Sequence, residues 1–263
     1  MLGAIIGDII GSIYEFNNIK TKDFPLWSAQ TTYTDDSIMT IAVAKALLLS
    51  NGSLSAFHKQ LIEQMQLFGQ KYPYPCGGYG ARFSGWLFSN APQPYNSFGN
   101  GSAMRVSACG FAANSLDEAL LLAAKSAEVT HNHPEGIKGA QATAAAIYLA
   151  RTGSSKAGIK EYIKRNFYEL NQTLAEIRPV YSFNETCQET VPQAIEAFLE
   201  SDSFEDSIRN AVSLGGDSDT LTAITGAIAE AYYGIPHDIR TKALSYLPQE
   251  LKDVVDEFEE KYQ

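Results

Sequence analysis

Two short stretches place six oxygen-bearing side chains where they could act together. In "LGGDSDTLT", residues 214–222, Asp217 and Asp219 stand one residue apart, and Thr220 and an apolar run follow. In "TYTDDSIMT", residues 32–40, Thr34, Asp35 and Asp36 stand before Ile38, Ile41, Ala42, Ala46 and Leu49, an apolar pattern of helical period. Each stretch has two readings. Asp and Thr are good N-caps, because their side-chain oxygens accept from the unpaired N–H groups of a first helical turn. An acidic residue there also complements the helix dipole. Alternatively, two such clusters brought together repel one another unless a cation lies between them. Hard oxygen donors without a thiolate suit Mg²⁺, Mn²⁺ or Ca²⁺ rather than zinc. Spacing alone leaves both readings open.

Three further stretches carry chemical groups. Residues 3–15, "GAIIGDIIGSIYE", set Gly3, Gly7 and Gly11 four apart on one helix face, with Asp8 among them and Glu15 at the far end. Glycine inside a helix costs about 1 kcal/mol relative to alanine, so three together imply close packing or a ligand. Residues 97–107, "SFGNGSAMRVS", offer hydroxyls and backbone N–H groups ahead of a helical stretch, an arrangement able to cradle a phosphate, although the Lys-Ser/Thr of a P-loop is missing. Arg105 could neutralise such a phosphate or pair with a structural carboxylate. In "THNHPEG", residues 130–136, His131 and His133 are two apart, which is not the helical zinc spacing. Thr130 or Asn132 followed by Pro134 marks a helix start.

These groups need elements to hold them. Apolar residues recur at spacings of three and four along 116–129, 137–150, 191–199 and 219–233, and period-two alternation is scarce. The expected fold class is all-α, with roughly a dozen helices. The exception is 72–101, rich in Gly, Pro and aromatics, which is either one long loop or two loops around a short helix near 81–88. Long irregular segments of this kind tend to be functional. The tail, 249–263, is expected to be an acidic amphipathic helix lying as a solvated lid on the core. No linker or internal repeat divides the 263 residues, so one domain is expected over 1–263.

Net charge is −10, which works against electrostatic capture of nucleic acid or anionic membrane. Three widely separated cysteines, Cys76, Cys109 and Cys187, fit a reducing, cytoplasmic setting rather than a disulfide framework. The apolar N-terminal stretch lacks a basic leader and is interrupted by Asp8 and Glu15, so it is not read as a signal peptide. No uninterrupted apolar run is long enough for a membrane span.

Taken in order, the pieces resemble a known family. Gly7-Asp8…Gly11…Glu15, Thr34-Asp35-Asp36, Gly99-Asn100-Gly101-Ser102-Ala103-Met104-Arg105, Thr130-His131 and Gly215…Asp217…Asp219-Thr220 look like the motifs of an ADP-ribosylglycohydrolase of the dinitrogenase-reductase-activating type. The motifs span residues 3–220, most of the chain. The resemblance implies a single orthogonal multi-helix domain with two Mg²⁺ ions in a central cleft, Mn²⁺ being a possible substitute. Thr34, Asp35, Asp36 and Asp219 match ligands of one ion, and Asp217, Asp219 and Thr220 those of the other. Glu15 matches a mobile glutamate near the metals, acting as acid or base, and Asp35 is the second residue on which catalysis is expected to depend. Ser97, Phe98, Gly99, Asn100 and Gly101 match the loop that holds the ADP-ribose phosphates and distal ribose. His131 matches a residue near the nucleotide. The implied reaction hydrolyses the glycosidic bond between ADP-ribose and a modified protein side chain or small conjugate.

Two other classes compete. All-α isoprenoid synthases also use Asp-rich helices with Mg²⁺, but their Asp-Asp-x-x-Asp is missing, since Ser37, Ile38, Met39 and Thr40 follow Asp35-Asp36. A non-catalytic ADP-ribose binder or crystallin-like structural member could keep the same fold. Every matched position here retains the expected side chain. The acceptor linkage (arginine, serine, nucleobase or O-acetyl-ADP-ribose) and the oligomeric state are not legible in the motifs.

Overall fold

A computed structural model describes residues 1–262. In chain order its helices are α1 (Leu2–Gly11), α2 (Asp35–Ser50), α3 (Leu54–Lys71), α4 (Ala81–Leu87), α5 (Gly101–Met104), α6 (Ser107–Ala112), α7 (Leu116–Glu128) and α8 (Pro134–Arg151). They continue with α9 (Lys156–Asn166), α10 (Leu174–Ile177), α11 (Cys187–Leu199), α12 (Phe204–Val212), α13 (Ser218–Tyr233), α14 (His237–Leu244) and α15 (Gln249–Tyr262). Among the described residues there is no strand, only isolated bridges pairing Thr34 with Cys76 and Gly99 with Thr186. The fold is thus all-α, as the helical periodicity predicts, and its helices share one buried core.

The centre is the crossing of α1 and α13. Every residue of α1 is buried, as is α13 from Ser218 to Ala229. A helix apolar on all sides belongs in a core rather than at a surface. The glycine face of α1 explains how close the two axes come. A Cβ at Gly7 would lie 2.0 Å from the carbonyl oxygen of Thr222, so only glycine fits there. The buried amino group of Met1 lies 2.8 Å from the Glu230 carboxylate, which fixes the other end of α1 against α13. Around this pair α2 packs on α1, while α8, α11 and α12 pack on α13. The tail helix α15 lies on α2 and buries Leu251, Val254, Val255 and Phe258, leaving its acidic residues outward.

Local boundaries differ from expectation in two places. Helix α1 stops at Gly11, so Glu15 lies in the turn beyond rather than at the helix end. The start of α8 is capped by His133, whose Nδ1 accepts from the Glu135 N–H at 3.1 Å, rather than by Thr130 or Asn132. Pro134 at the first helical position supplies the preset φ. In the 72–101 segment the short helix α4 lies between two loops. No described helix is long and apolar enough to cross a membrane.

Candidate active site

The starts of α2 and α13 face one another. Thr220 Oγ1, in the first turn of α13, donates to Asp36 Oδ1, in the first turn of α2, at 3.1 Å. The two helix starts use their oxygens differently. Thr34 is a true cap: its hydroxyl accepts from the Asp36 N–H at 3.2 Å. Asp217 holds the cap position of α13, yet its side chain makes no capping hydrogen bond. Its Oδ2 instead accepts from Asn100 Nδ2 at 2.7 Å.

Asp217, Asp219 and Glu15 each bring one carboxylate oxygen to within 4.8 Å of the other two. Glu15 reaches this position because its segment is tied down. Asn18 Nδ2 donates to the carbonyls of Tyr14, Glu15 and Gly216, and Asn18 Oδ1 accepts from the Gly216 N–H. On the solvent side Gly77, at φ +78°, backs the carboxylate closely; a Cβ there would lie 2.9 Å from Glu15 Oε2.

Asp8 underlies the α2 side of the cluster. This fully buried carboxylate accepts from the Thr34 N–H (2.9 Å), Thr34 Oγ1 (2.6 Å), the Ser37 N–H (3.0 Å) and the Ser37 hydroxyl. It thereby satisfies unpaired donors at the start of α2 from a different helix and sets the orientation of Asp35 and Asp36. Burial pushes Asp8 up to about 6, against the lowering effect of those hydrogen bonds.

The electrostatics are those of buried carboxylates without a counter-charge. Among the described residues no lysine or arginine pairs with Asp8, Glu15, Asp35, Asp36, Asp217 or Asp219. Burial first, and then the neighbouring carboxylates, hold Asp35, Asp36 and Asp219 well above the usual carboxylate range. Half-buried Glu15 is pushed up to about 7 by burial and then by the charges of Asp217, Asp8 and Glu185. Convergent hard oxygen donors with no cationic side chain among them fit a divalent cation of the Mg²⁺ or Mn²⁺ type.

The cluster lines one side of a cavity of about 360 Å³. Glu15, Asp35, Asp36, Asp217, Asp219 and Thr220 face it together with Ser97, Gly99, Asn100, Gly101 and His131. Two residues of the sequence reading stand apart from this lining. Thr34 is buried behind Asp36, with its hydroxyl shared between Asp8 and the α2 cap. Phe98 is half exposed, its ring 5.3 Å from that of His133.

The 97–101 loop is a narrower cradle than its glycines alone imply. The Gly99 N–H donates to Ser97 Oγ at 3.2 Å and the Asn100 N–H to the Glu185 carbonyl at 2.7 Å, so both are committed. The Asn100 side chain, expected to meet substrate, ties the loop to Asp217 and Thr190. The cavity is completed by groups that the motifs do not single out: Gly78, Gly80, Arg82, Phe83, Tyr95 and Glu185. The first five lie in the aromatic, glycine-rich segment 72–101, whose composition marks the segment but not these residues; Glu185 sits in an irregular stretch with no pattern to mark it.

An all-helical core with a buried carboxylate cluster facing a serine- and glycine-containing loop across one cavity defines the class of protein. The chain belongs to the ADP-ribosylglycohydrolase family, which its sequence matches over residues 1–263. It is 29% identical to ADP-ribosylhydrolase ARH3 of Mus musculus, covering 89% of this chain and 83% of that protein. It is 24% identical to the ADP-ribosyl-[dinitrogen reductase] glycohydrolase of Rhodospirillum rubrum, covering 95% of this chain and 90% of the relative. A solved structure described as an ADP-ribosylglycohydrolase-related protein complex superposes with a TM-score of 0.72 over 100% of this chain and 96% of its own, at 22% identity, which speaks to the fold.

Proposed function

We propose that this protein is a divalent-metal-dependent ADP-ribosylhydrolase that cleaves the glycosidic bond between ADP-ribose and a modified protein side chain or small ADP-ribosyl conjugate. The observation that carries the reading is the convergence of Glu15, Asp217 and Asp219 within 4.8 Å, beside the Asp36–Thr220 contact and on the same cavity as the 97–101 loop. The family's known relatives include proteins named for removing ADP-ribose, and the shared chemistry is what we carry over.

Asp35, Asp36, Asp217, Asp219 and Thr220 would hold two Mg²⁺ ions, with Thr34 positioned to support Asp36 rather than to face the cavity. When bound, such ions lower the pKa of water and grip hydroxyl oxygens of a sugar. The rest of the work falls to the chain itself. Ser97 keeps its hydroxyl hydrogen available for a ligand oxygen while its Oγ accepts from Gly99. His131 lies beside the same loop, its Nε2 3.5 Å from the point a Cβ would take on either Gly99 or Gly101. Asn100 holds the loop at a fixed distance from Asp217.

Glycoside hydrolysis proceeds through an oxocarbenium-like transition state in which the leaving group must gain a proton. Glu15 suits that transfer by its place: its carboxyl stands on the cavity within 4.8 Å of Asp217 and Asp219, where a leaving-group atom held over the cluster comes within its reach. After departure of the acceptor the same carboxylate can take a proton from water.

The test is release of free ADP-ribose, read by mass spectrometry, from a panel of defined arginine-, serine-, nucleobase- and acetyl-linked conjugates with and without EDTA. Release that Mg²⁺ restores after chelation, that Asp35→Asn abolishes, and that Glu15→Gln lowers without loss of Mg²⁺ binding is the expected result. Undiminished release in EDTA or from Asp35→Asn refutes the metal-dependent mechanism.

A further inference from the structure

The lining of the same cavity holds a buried positive charge. Arg105 is fully buried, and its guanidinium donates to the Gly101 carbonyl (3.0 Å), the Ser126 carbonyl (3.2 Å) and Thr130 Oγ1 (2.8 Å). Among the described residues no carboxylate pairs with it, and its Nε has no hydrogen-bond partner. The sequence left open whether Arg105 faces a phosphate or a structural carboxylate; the structural carboxylate is not there.

Thr130 Oγ1 passes the consequence on. It stands 2.7 Å from His131 Nδ1, and both side chains are buried. Arginine only donates, so Thr130 spends a lone pair on Arg105. Among the described residues the threonine hydroxyl has no acceptor other than His131 Nδ1. Were Nδ1 to carry the proton, the buried hydroxyl hydrogen would be stranded, at the cost that attends an unsatisfied buried donor. Thr130 therefore donates to Nδ1, and the ring proton sits on Nε2. That nitrogen lies over Gly99 and Gly101, on the cavity side. The charged and titratable groups facing the ring are Arg105 and the Tyr95 phenol, whose ring centroid is 6.0 Å away. Burial and then the Arg105 charge push the imidazole well below its usual range, so it stays neutral.

We propose that Arg105 and Thr130 are positioning residues that fix His131 as a neutral imidazole with its proton on Nε2, giving the 97–101 loop a fixed side-chain N–H donor for an oxygen of the bound nucleotide. The inference rests on the ADP-ribose reading of the cavity. It assigns the relay Arg105 to Thr130 to His131 a role in nucleotide affinity rather than in bond cleavage.

The experiment is ¹⁵N–¹H correlation spectroscopy of the full chain labelled at histidine, with ADP-ribose affinity measured by calorimetry in Mg²⁺-containing buffer. The expected wild-type spectrum shows His131 protonated on Nε2 and accepting at Nδ1 between about pH 5 and 8. Thr130→Val keeps the side-chain volume and removes the relay. It is expected to move the Nδ1 resonance to that of a nitrogen without a hydrogen bond and to weaken ADP-ribose binding about tenfold, the loss of roughly one buried hydrogen bond. Thr130→Ser is expected to restore both. A wild-type spectrum with the proton on Nδ1 overturns the relay alone, whatever the variants do, and so does a folded Thr130→Val protein that binds ADP-ribose as the wild type does. Wild-type protein that does not bind ADP-ribose overturns the substrate reading and the inference with it.

Discussion

Adding one methyl group at Gly7 tests whether the α1–α13 crossing sets the site geometry. A Cβ there would lie 2.0 Å from the Thr222 carbonyl oxygen, 2.4 Å from its carbon and 2.7 Å from the Ala223 nitrogen. Ordinary contact begins near 3.4 Å, so the two helices must part by about 1.4 Å along this direction. The obstacle is backbone, not a side chain that could rotate away. Overpacking of this kind costs about 1–3 kcal/mol, and this backbone collision belongs at the upper end. The alanine returns about 1 kcal/mol of helix propensity, leaving a net loss of about 2 kcal/mol. For a chain of this size that lowers Tm by about 4–8 °C. The site should suffer more than the fold, because α1 carries Asp8 and leads to Glu15, while α13 carries Asp219. Cation coordination at about 2.0–2.1 Å does not tolerate a displacement of that size, so Mg²⁺ affinity should fall more than tenfold. Calorimetric melting of Gly7→Ala and Mg²⁺ titration of the same protein provide both readouts. Gly158→Ala is the control, since its Cβ meets only Ser155 Oγ at an ordinary 3.5 Å. A Gly7→Ala protein that melts with the wild type and binds Mg²⁺ equally well would show that the crossing does not set the site.

Two further outcomes follow from the buried carboxylates. Asp8→Asn leaves one acceptor oxygen where two now receive four hydrogen bonds; with that oxygen at the Oδ2 position the Thr34 and Ser37 backbone N–H groups keep their acceptor, and the amide N–H₂ takes the place of Oδ1 against the Thr34 hydroxyl. That buried hydroxyl loses its acceptor, so urea unfolding should show a loss of about 1–3 kcal/mol, and an unchanged midpoint would refute the role given to Asp8. In metal-free protein the raised carboxyl pKa values mean that the folded state holds protons the unfolded chain has released. Stability should therefore fall as pH rises through the window from the ordinary 4.5 of Glu15 to its folded value of about 7, with Asp35, Asp36 and Asp219 adding in the same direction. Mg²⁺ should reverse that slope and release protons on binding, which calorimetry in buffers of different ionisation enthalpy measures. Metal-free protein equally stable at about pH 5 and 7 would contradict the clustering of uncompensated carboxylates.

The helices were legible because a core built on α1 and α13 demands apolar residues at helical spacing, and that periodicity survives in any reading of residues 219–233. The acidic pairs were legible as residue types, but not as roles. Thr34 and Asp217 occupy equivalent cap positions in the sequence, yet only Thr34 spends its oxygen on the cap. What separates them is a partner remote in the chain: Asn100 draws the Asp217 carboxylate toward the loop, while Asp8 locks Thr34 from below. The same holds for Arg105, whose character depends on which carboxylates fail to reach it, and for Glu185, which enters the cavity because its carbonyl accepts from Asn100. Local pattern specifies which groups a helix start can offer. Long-range hydrogen bonds decide which of them remain free, and a carboxylate left free and buried is the kind a cation or a substrate must answer.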